Sequence, residues 1–243
     1  MSEFIDGNLI GAPDVQADYW ELQNYSDNCA TTAEGSIINQ FGYNFTQDEY
    51  AYISAANGWY NPGGGTSPED VGKMMDLFEI PNHTVENAGV ADLINELQQG
   101  HGVIVGVKAD QLWDSSSVFT DLKNFILEKT GLDSSDFTPA DHAIVVTGID
   151  FSDASNPMVL INDSGEPNGQ GHPYPLARFV EAWENSNFYY TATDTPLPSM
   201  LAQNGNNSIS FDWGSLSNGF DVMSQDFLEP FNAFKNDDFV RSI

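Results

Sequence analysis

The chain has 243 residues, with 36 Asp or Glu against 7 Lys or Arg for a formal charge of −29, and a single cysteine. So little positive charge argues against nucleic-acid binding and attraction to anionic lipid, and one cysteine excludes an internal disulfide framework or a multi-cysteine zinc or iron–sulfur site. The 40% apolar and 12% aromatic content supplies the large side chains that acidic disordered tails lack, so a folded core is expected.

Met1 to Asp6 contains no basic or long apolar run, and no stretch approaches the roughly 18 consecutive apolar residues of a spanning helix. The expectation is a soluble protein without a classical signal peptide and without membrane insertion. A polar N-terminal segment, 1–18, then gives way to Cys29-Ala30-Thr31-Thr32-Ala33-Glu34-Gly35-Ser36-Ile37. Ala30, Ala33, Ile37 and Phe41 recur at helical spacing, Asn28 suits an N-cap and Gly42 a stop, so Cys29 opens a helix. Ser67-Pro68-Glu69-Asp70 resembles a capped helix start ahead of Val71, Met74, Met75 and Phe78. A third helix should cover Val90 to Gln99 and end at Gly100. The apolar runs Val103–Val107, Ala143–Ile149 and Met158–Ile161 predict buried strands, the last two joined as an antiparallel hairpin through the turn-rich 151–157. Helices are expected early and strands late. From about Thr193 the composition shifts, and 193–243 reads as an extension.

A thiol at a helix N-terminus is suggestive, because the helix dipole and unpaired N–H groups favour thiolate. Free cysteines are commonly buried small hydrophobes, however, so position alone assigns no chemistry. Gln23 stands six residues earlier, in Gln23-Asn24-Tyr25-Ser26-Asp27-Asn28-Cys29-Ala30. Asp141-His142-Ala143-Ile144-Val145-Val146 places a histidine at a strand start, and Val159-Leu160-Ile161-Asn162-Asp163-Ser164-Gly165 ends the next strand on an acid. A hairpin turn near Asp153 sets His142 opposite about Ser164, within roughly two residues of Asp163.

In this order the residues resemble the papain-like cysteine peptidases, and within them the bacteriocin-leader-processing group and its stand-alone bacterial relatives. The resemblance covers about Tyr19 to Tyr190, with Ser164 where the family usually has Pro. It implies an α+β fold with a peptidase domain over 19–192, in which the Cys29 helix packs on an antiparallel sheet carrying His142 and Asp163. It also implies Cys29 as nucleophile, His142 as proton carrier, Asp163 as its partner and Gln23 as an oxyanion donor, without a cofactor. Papain uses Asn as the third group, which leaves Asn162 as an alternative to Asp163.

The substrate expected is a peptide or protein, cationic or Gly-containing. A cysteine-dependent acyltransferase or amidase, or a catalytically silent binding module, is the alternative on the same fold. Elsewhere, His83, His101 and His172 form no metal-ligand spacing and read as solvated loop residues. Asn61-Pro62-Gly63-Gly64-Gly65-Thr66 lacks a phosphate-loop ending and reads as a flexible loop or cleft wall. Phe179, Trp183, Phe188, Tyr189 and Tyr190 read as core. Extreme acidity fits either a salt-adapted cytoplasm or export that bypasses a cleaved leader.

Overall fold

The computed structural model describes residues 5–6, 8–113 and 140–201. Strands β1 (Ile5–Asp6) and β2 (Leu9–Gly11) lead into helices α1 (Pro13–Ala17), α2 (Cys29–Gln40) and α3 (Gln47–Ala56). Two-residue strands β3 (Tyr60–Asn61) and β4 (Gly65–Thr66), a 3-10 turn at Pro68–Asp70 and α4 (Lys73–Leu77) follow. Next come β5 (Asn82–Val85), α5 (Val90–Gln99), β6 (Val103–Val107) and α6 (Ala109–Trp113). The remaining elements are β7 (His142–Asp150), β8 (Met158–Asn162), β9 (His172–Pro175), α7 (Leu176–Glu184), β10 (Tyr190–Thr193) and α8 (Pro198–Leu201). Among the described residues no helix is long and apolar enough to cross a membrane.

The main sheet is antiparallel throughout, running β5-β10-β6-β7-β8-β9. Strand β7 outruns β6, which stops opposite Val146, and β2 takes over its free edge at Gly148–Asp150. Val103, Val105, Val107, Ile144, Val146, Val159 and Ile161 form one core with Leu93 and Leu97 of α5 and Phe179, Ala182 and Trp183 of α7. Trp183 is fully buried and its indole N–H donates to the Tyr189 carbonyl at 2.8 Å, so the ring fills the core without leaving a polar atom unpaired. The alternating Ile104 and Val145 are buried as well, and α2 packs on β7. This is the α+β arrangement of a Cys-bearing helix against an antiparallel sheet.

Helix α5 and strands β6, β7 and β8 fall within a residue of their expected ends, and Gly100 closes α5 in the left-handed conformation at φ 78°. The hairpin register differs slightly: Val145 faces Asn162 and Ile149 faces Val159, with an irregularity between Val146 and Gly148. The turn is centred one residue later than expected, near Ala154, and the extra residue on β7 takes one position back, which sets His142 opposite Gly165. Strands are not confined to the later chain, since β1 to β5 precede α5; they are too short to show a period of two. The expected helix from Ser67 is in fact two pieces. Val71 is extended and Gly72 adopts φ 99°, and any Cβ at Gly72 would lie 2.4 Å from Asn82 Oδ1.

Both ends of the expected 19–192 domain are longer in the packing. Asn162 Nδ2 donates to the Gln16 carbonyl, which fastens α1 to β8, and Leu197 and Met200 are buried. The rest of the expected extension, from residue 202 onward, lies outside the described residues.

Candidate active site

Helix α2 brings its first residue to the wall of the sheet. The Asn28 carbonyl receives the Thr32 N–H and the Thr31 hydroxyl, which starts the helix immediately at Cys29. The Asn28 side chain points the other way and accepts the Tyr25 N–H at 3.1 Å, so it organises the incoming loop rather than capping the helix. The first-turn N–H groups near Cys29 are thus left without a side-chain cap.

His142 begins β7, 7% exposed, and its Nε2 lies 2.7 Å from Asp163 Oδ1. Nδ1 is the ring nitrogen that remains, and the imidazole and the Cys29 thiol, which line the same cleft, perturb each other's titration. Asp163 is fully buried and accepts at both oxygens: Oδ1 from the imidazole and the Gly165 N–H at 2.9 Å, Oδ2 from the Trp113 indole at 2.8 Å and the Tyr174 hydroxyl at 3.5 Å. Asn162 faces away, bonding the Gln16 carbonyl and the Gly171 N–H. Neighbouring strand residues point to opposite faces, so only one of the two could meet the imidazole, and it is Asp163.

These contacts shift the titration of all three groups. Burial by itself would depress the His142 pKa, but Asp163 and the Cys29 sulfur outweigh it and push it up to about 10. Burial would raise the Cys29 thiol, yet the hydrogen bond and charge of His142, with the Ala143 and Ala30 N–H groups, hold it below the ordinary thiol value. Asp163 likewise stays below the usual carboxylate range because His142, Trp113 and Gly165 offset its burial. The arrangement can therefore hold a thiolate beside an imidazolium.

Gln23 lies in the loop before α2 and is tied to the residue that follows the acid. Its backbone N–H donates to the Ser164 carbonyl at 2.8 Å, its Nε2 to the Tyr25 carbonyl at 2.7 Å, and its Oε1 accepts the Ser164 hydroxyl at 3.1 Å. The Trp20 indole grips the Asp163 carbonyl at 2.7 Å. Gly165 packs against the imidazole: a Cβ there would fall 3.0 Å from His142 Cε1 and 2.8 Å from Trp113.

A cleft of about 660 Å³ opens over Cys29 and His142. It is lined by Asp27, Gly63–Thr66, Pro68 and Val71 together with Ile104, Gly106, Ala143, Asn185–Asn187 and Tyr189. Asp27 fastens the glycine-rich hairpin, accepting the Tyr60 hydroxyl at 2.9 Å and the Gly63 N–H. Asp141 binds Lys108 and the Ala109 N–H, which starts α6 and so delivers Trp113.

The other histidines take no part, but they are not solvated loop residues as expected. His101 is buried with Nδ1 2.6 Å from Glu96 Oε2, His83 lies on β5 with Nδ1 2.7 Å from Asp194, and His172 begins β9. Sequence reasoning did not find Trp113, because a tryptophan 29 residues before the histidine carries no spacing signal. It also passed over α3, although Thr46-Gln47-Asp48-Glu49 is a capping box, with Thr46 accepting from the Glu49 N–H.

A helix-borne thiol facing a strand-borne His–Asp pair across a cleft defines a papain-like, peptidase-type fold. The sequence profile of the peptidase C39-like family matches residues 14–191, and the chain belongs to that family. An uncharacterized protein of Mycobacterium tuberculosis and its counterpart in Mycobacterium bovis are each 29% identical over 214 residues, spanning 77% of this chain and 85% of theirs. The crystal structure of a Bacillus anthracis chain, described as a candidate C39-like peptidase, matches with TM-score 0.52 and 13% identity over 78% of this chain and 98% of its own.

Proposed function

We propose that the protein is a cysteine peptidase that cleaves peptide bonds by a Cys29–His142–Asp163 mechanism. The observation that carries this reading is the cleft that holds Cys29 together with a His142 imidazole whose Nε2 lies 2.7 Å from the fully buried Asp163 carboxylate. The thiolate attacks the substrate carbonyl carbon, and the C=O pair moves onto oxygen. Gln23 Nε2 and the Cys29 N–H receive that oxyanion. The C–N bond then breaks, the leaving amine takes the imidazolium proton, and the acyl group remains on sulfur. Water attacks the thioester, His142 takes its proton, the C–S bond breaks, and a carboxylic acid leaves as the thiolate–imidazolium pair is restored. Asp163 holds the ring by Nε2 and stabilises its cation throughout.

The substrate in this reading is an extended, cationic peptide. The −29 charge concentrates cations around the molecule, and the three consecutive glycines Gly63–Gly65 of the cleft lining expose backbone to a chain lying along it.

Iodoacetamide alkylation of Cys29 against pH tests the thiolate. A reactive form persisting well below the ordinary thiol value of about 8.5 is expected, with the advantage lost in His142→Ala. A single titration near that value, unchanged by His142→Ala, would refute the mechanism. Lys- and Glu-containing versions of one peptide should differ in rate at low salt and converge at high salt, because a Debye length of about 10 Å at 0.1 M screens the surface; an unchanging ratio would assign the charge to solubility alone.

A further inference from the structure

The strand end that carries the acid and the loop that carries the oxyanion glutamine are sewn together at three points. Trp20 Nε1 donates to the Asp163 carbonyl at 2.7 Å, the Gln23 N–H to the Ser164 carbonyl at 2.8 Å, and the Ser164 hydroxyl to Gln23 Oε1 at 3.1 Å. The last bond is the one that a Pro at position 164 cannot make. Ser164 is only 5% exposed, so water competes weakly for its hydroxyl.

A glutamine amide has two ends of nearly equal shape, and only hydrogen bonding decides which faces where. Here the decision is unambiguous. The Tyr25 carbonyl can only accept, so the NH₂ end must face it. The opposite end, Oε1, must then take the Ser164 proton. Nε2 spends one hydrogen on Tyr25, its only bond among the described residues, and retains a second. With both ends held, that second N–H has a set direction.

We propose that Ser164 is a positioning residue: its hydroxyl locks the Gln23 amide so that the free Nε2–H is presented to the developing oxyanion. The inference rests on the peptidase reading above. It goes further by assigning to the residue after the acid a task in transition-state stabilisation, and by making the acid and the oxyanion donor one mechanical unit. Among the described residues the Ser164 hydroxyl bonds Gln23 and neither the thiol nor the imidazole, so the Cys29–His142 ion pair should not sense its removal.

The test compares Ser164→Ala, Ser164→Thr, Gln23→Ala and the Ser164→Ala/Gln23→Ala double variant in the full chain. The probe is a fluorogenic peptide chosen by library profiling of the wild type. Complete loss of an oxyanion donor costs about 100 to 1,000-fold in kcat, and a donor left unlocked should lose a part of that. The expected result is therefore a roughly 10-fold fall in kcat for Ser164→Ala with KM nearly unchanged, recovery in Ser164→Thr, and no additional loss when Gln23 is already Ala. The pH profile of Cys29 alkylation should be that of the wild type in all four. An equal fall in the Gln23→Ala background, or a displaced alkylation profile, would overturn the proposal, because Ser164 would then act through the fold or the ion pair.

A second readout needs no turnover. In ¹⁵N NMR, the Gln23 side-chain NH₂ should show slow exchange in the wild type and Ser164→Thr and faster exchange in Ser164→Ala; identical behaviour in all three would also overturn it. Failure of the peptidase reading would look different: Cys29→Ala would leave turnover intact while the Gln23 signals still reported the lock.

Discussion

Two carboxyl groups buried in this protein meet opposite fates. Asp163, just past the end of β8, is fully buried yet held below the usual carboxylate range. Glu34, in the middle of α2, is 1% exposed and is pushed up to about 8 by its burial. Both accept several hydrogen bonds, so the number of donors is not the difference. Asp163 receives an imidazolium together with an indole and a backbone N–H, whereas Glu34 Oε2 receives only backbone N–H groups, from Gly72, Met74 and Met75 at 3.1 to 3.4 Å. Neutral donors ease desolvation but supply no opposing charge, and Asp76 nearby adds repulsion. One acid serves as a charge beside the thiol; the other serves as a cross-chain cap that starts α4 behind the cleft wall.

The contrast is most directly broken by making each acid neutral. Asp163→Asn should lower turnover by about 100 to 10,000-fold, as when a triad acid loses its charge, and should draw the alkaline limb of activity down from about 10, because His142 loses the carboxylate that raises its pKa. Glu34→Gln keeps an acceptor for the α4 N–H groups and should leave turnover within about threefold, since no charge that the chemistry uses is removed. Fluorogenic kcat–pH profiles of both variants measure this. Comparable losses in the two would erase the distinction.

Stability should diverge in sign with pH. Glu34 has a folded pKa above its ordinary 4.5, so its contribution is complete below about 4.5 and is lost as pH rises through about 8. Asp163 has a depressed folded pKa, so its contribution is present above its ordinary value and is lost as pH falls through the folded one. Urea unfolding at pH 5 and pH 8 should show the wild type losing about 2 to 5 kcal/mol relative to Glu34→Gln, at about 1.4 kcal/mol per pH unit. No relative change would mean that Glu34 is ionised like Asp163.

Gly165→Ala sharpens the Asp163 side of the comparison without altering charge. Its new Cβ would press on His142 and Trp113, and displacing an imidazole by a fraction of an ångström should cost about 10 to 100-fold in kcat. Thermal melting separates this from unfolding. Trp113→Phe is the mildest change, keeping a ring beside His142 while removing the donor to Asp163 Oδ2. The fall in turnover should be about 3 to 10-fold, only part of one charge-assisted hydrogen bond, because the Tyr174 hydroxyl still reaches Asp163 Oδ2. The acidic limb should also move upward, because an Asp163 that is less firmly ionised supports the ion pair less.

Much of this was legible in the chain itself. Val90–Gln99 with Gly100, and the apolar runs that became β6, β7 and β8, carry their own periodicity and stops, and local steric preference was enough to place them within a residue. The order Gln23, Cys29, His142, Asp163 was readable for a similar reason: a thiol opening a helix and a histidine opening a strand are local facts. The break at Gly72 was not, because Ser67-Pro68-Glu69-Asp70 favours a continuous helix and only the approach of Asn82 and the Glu34 carboxylate splits it.

What the sequence determined by itself was therefore the elements and the inventory of reactive groups, which depend on neighbours a few residues apart. Only the tertiary structure decided which acid keeps its charge, which of Asn162 and Asp163 meets the imidazole, and that Trp113 bonds Asp163 and Ser164 bonds Gln23. Those outcomes depend on donors and desolvation contributed by residues such as Gln23 and Ser164, 141 positions apart. Electrostatics in a buried site is set by distance in space, and the linear order of residues carries no record of that distance until the sheet has closed.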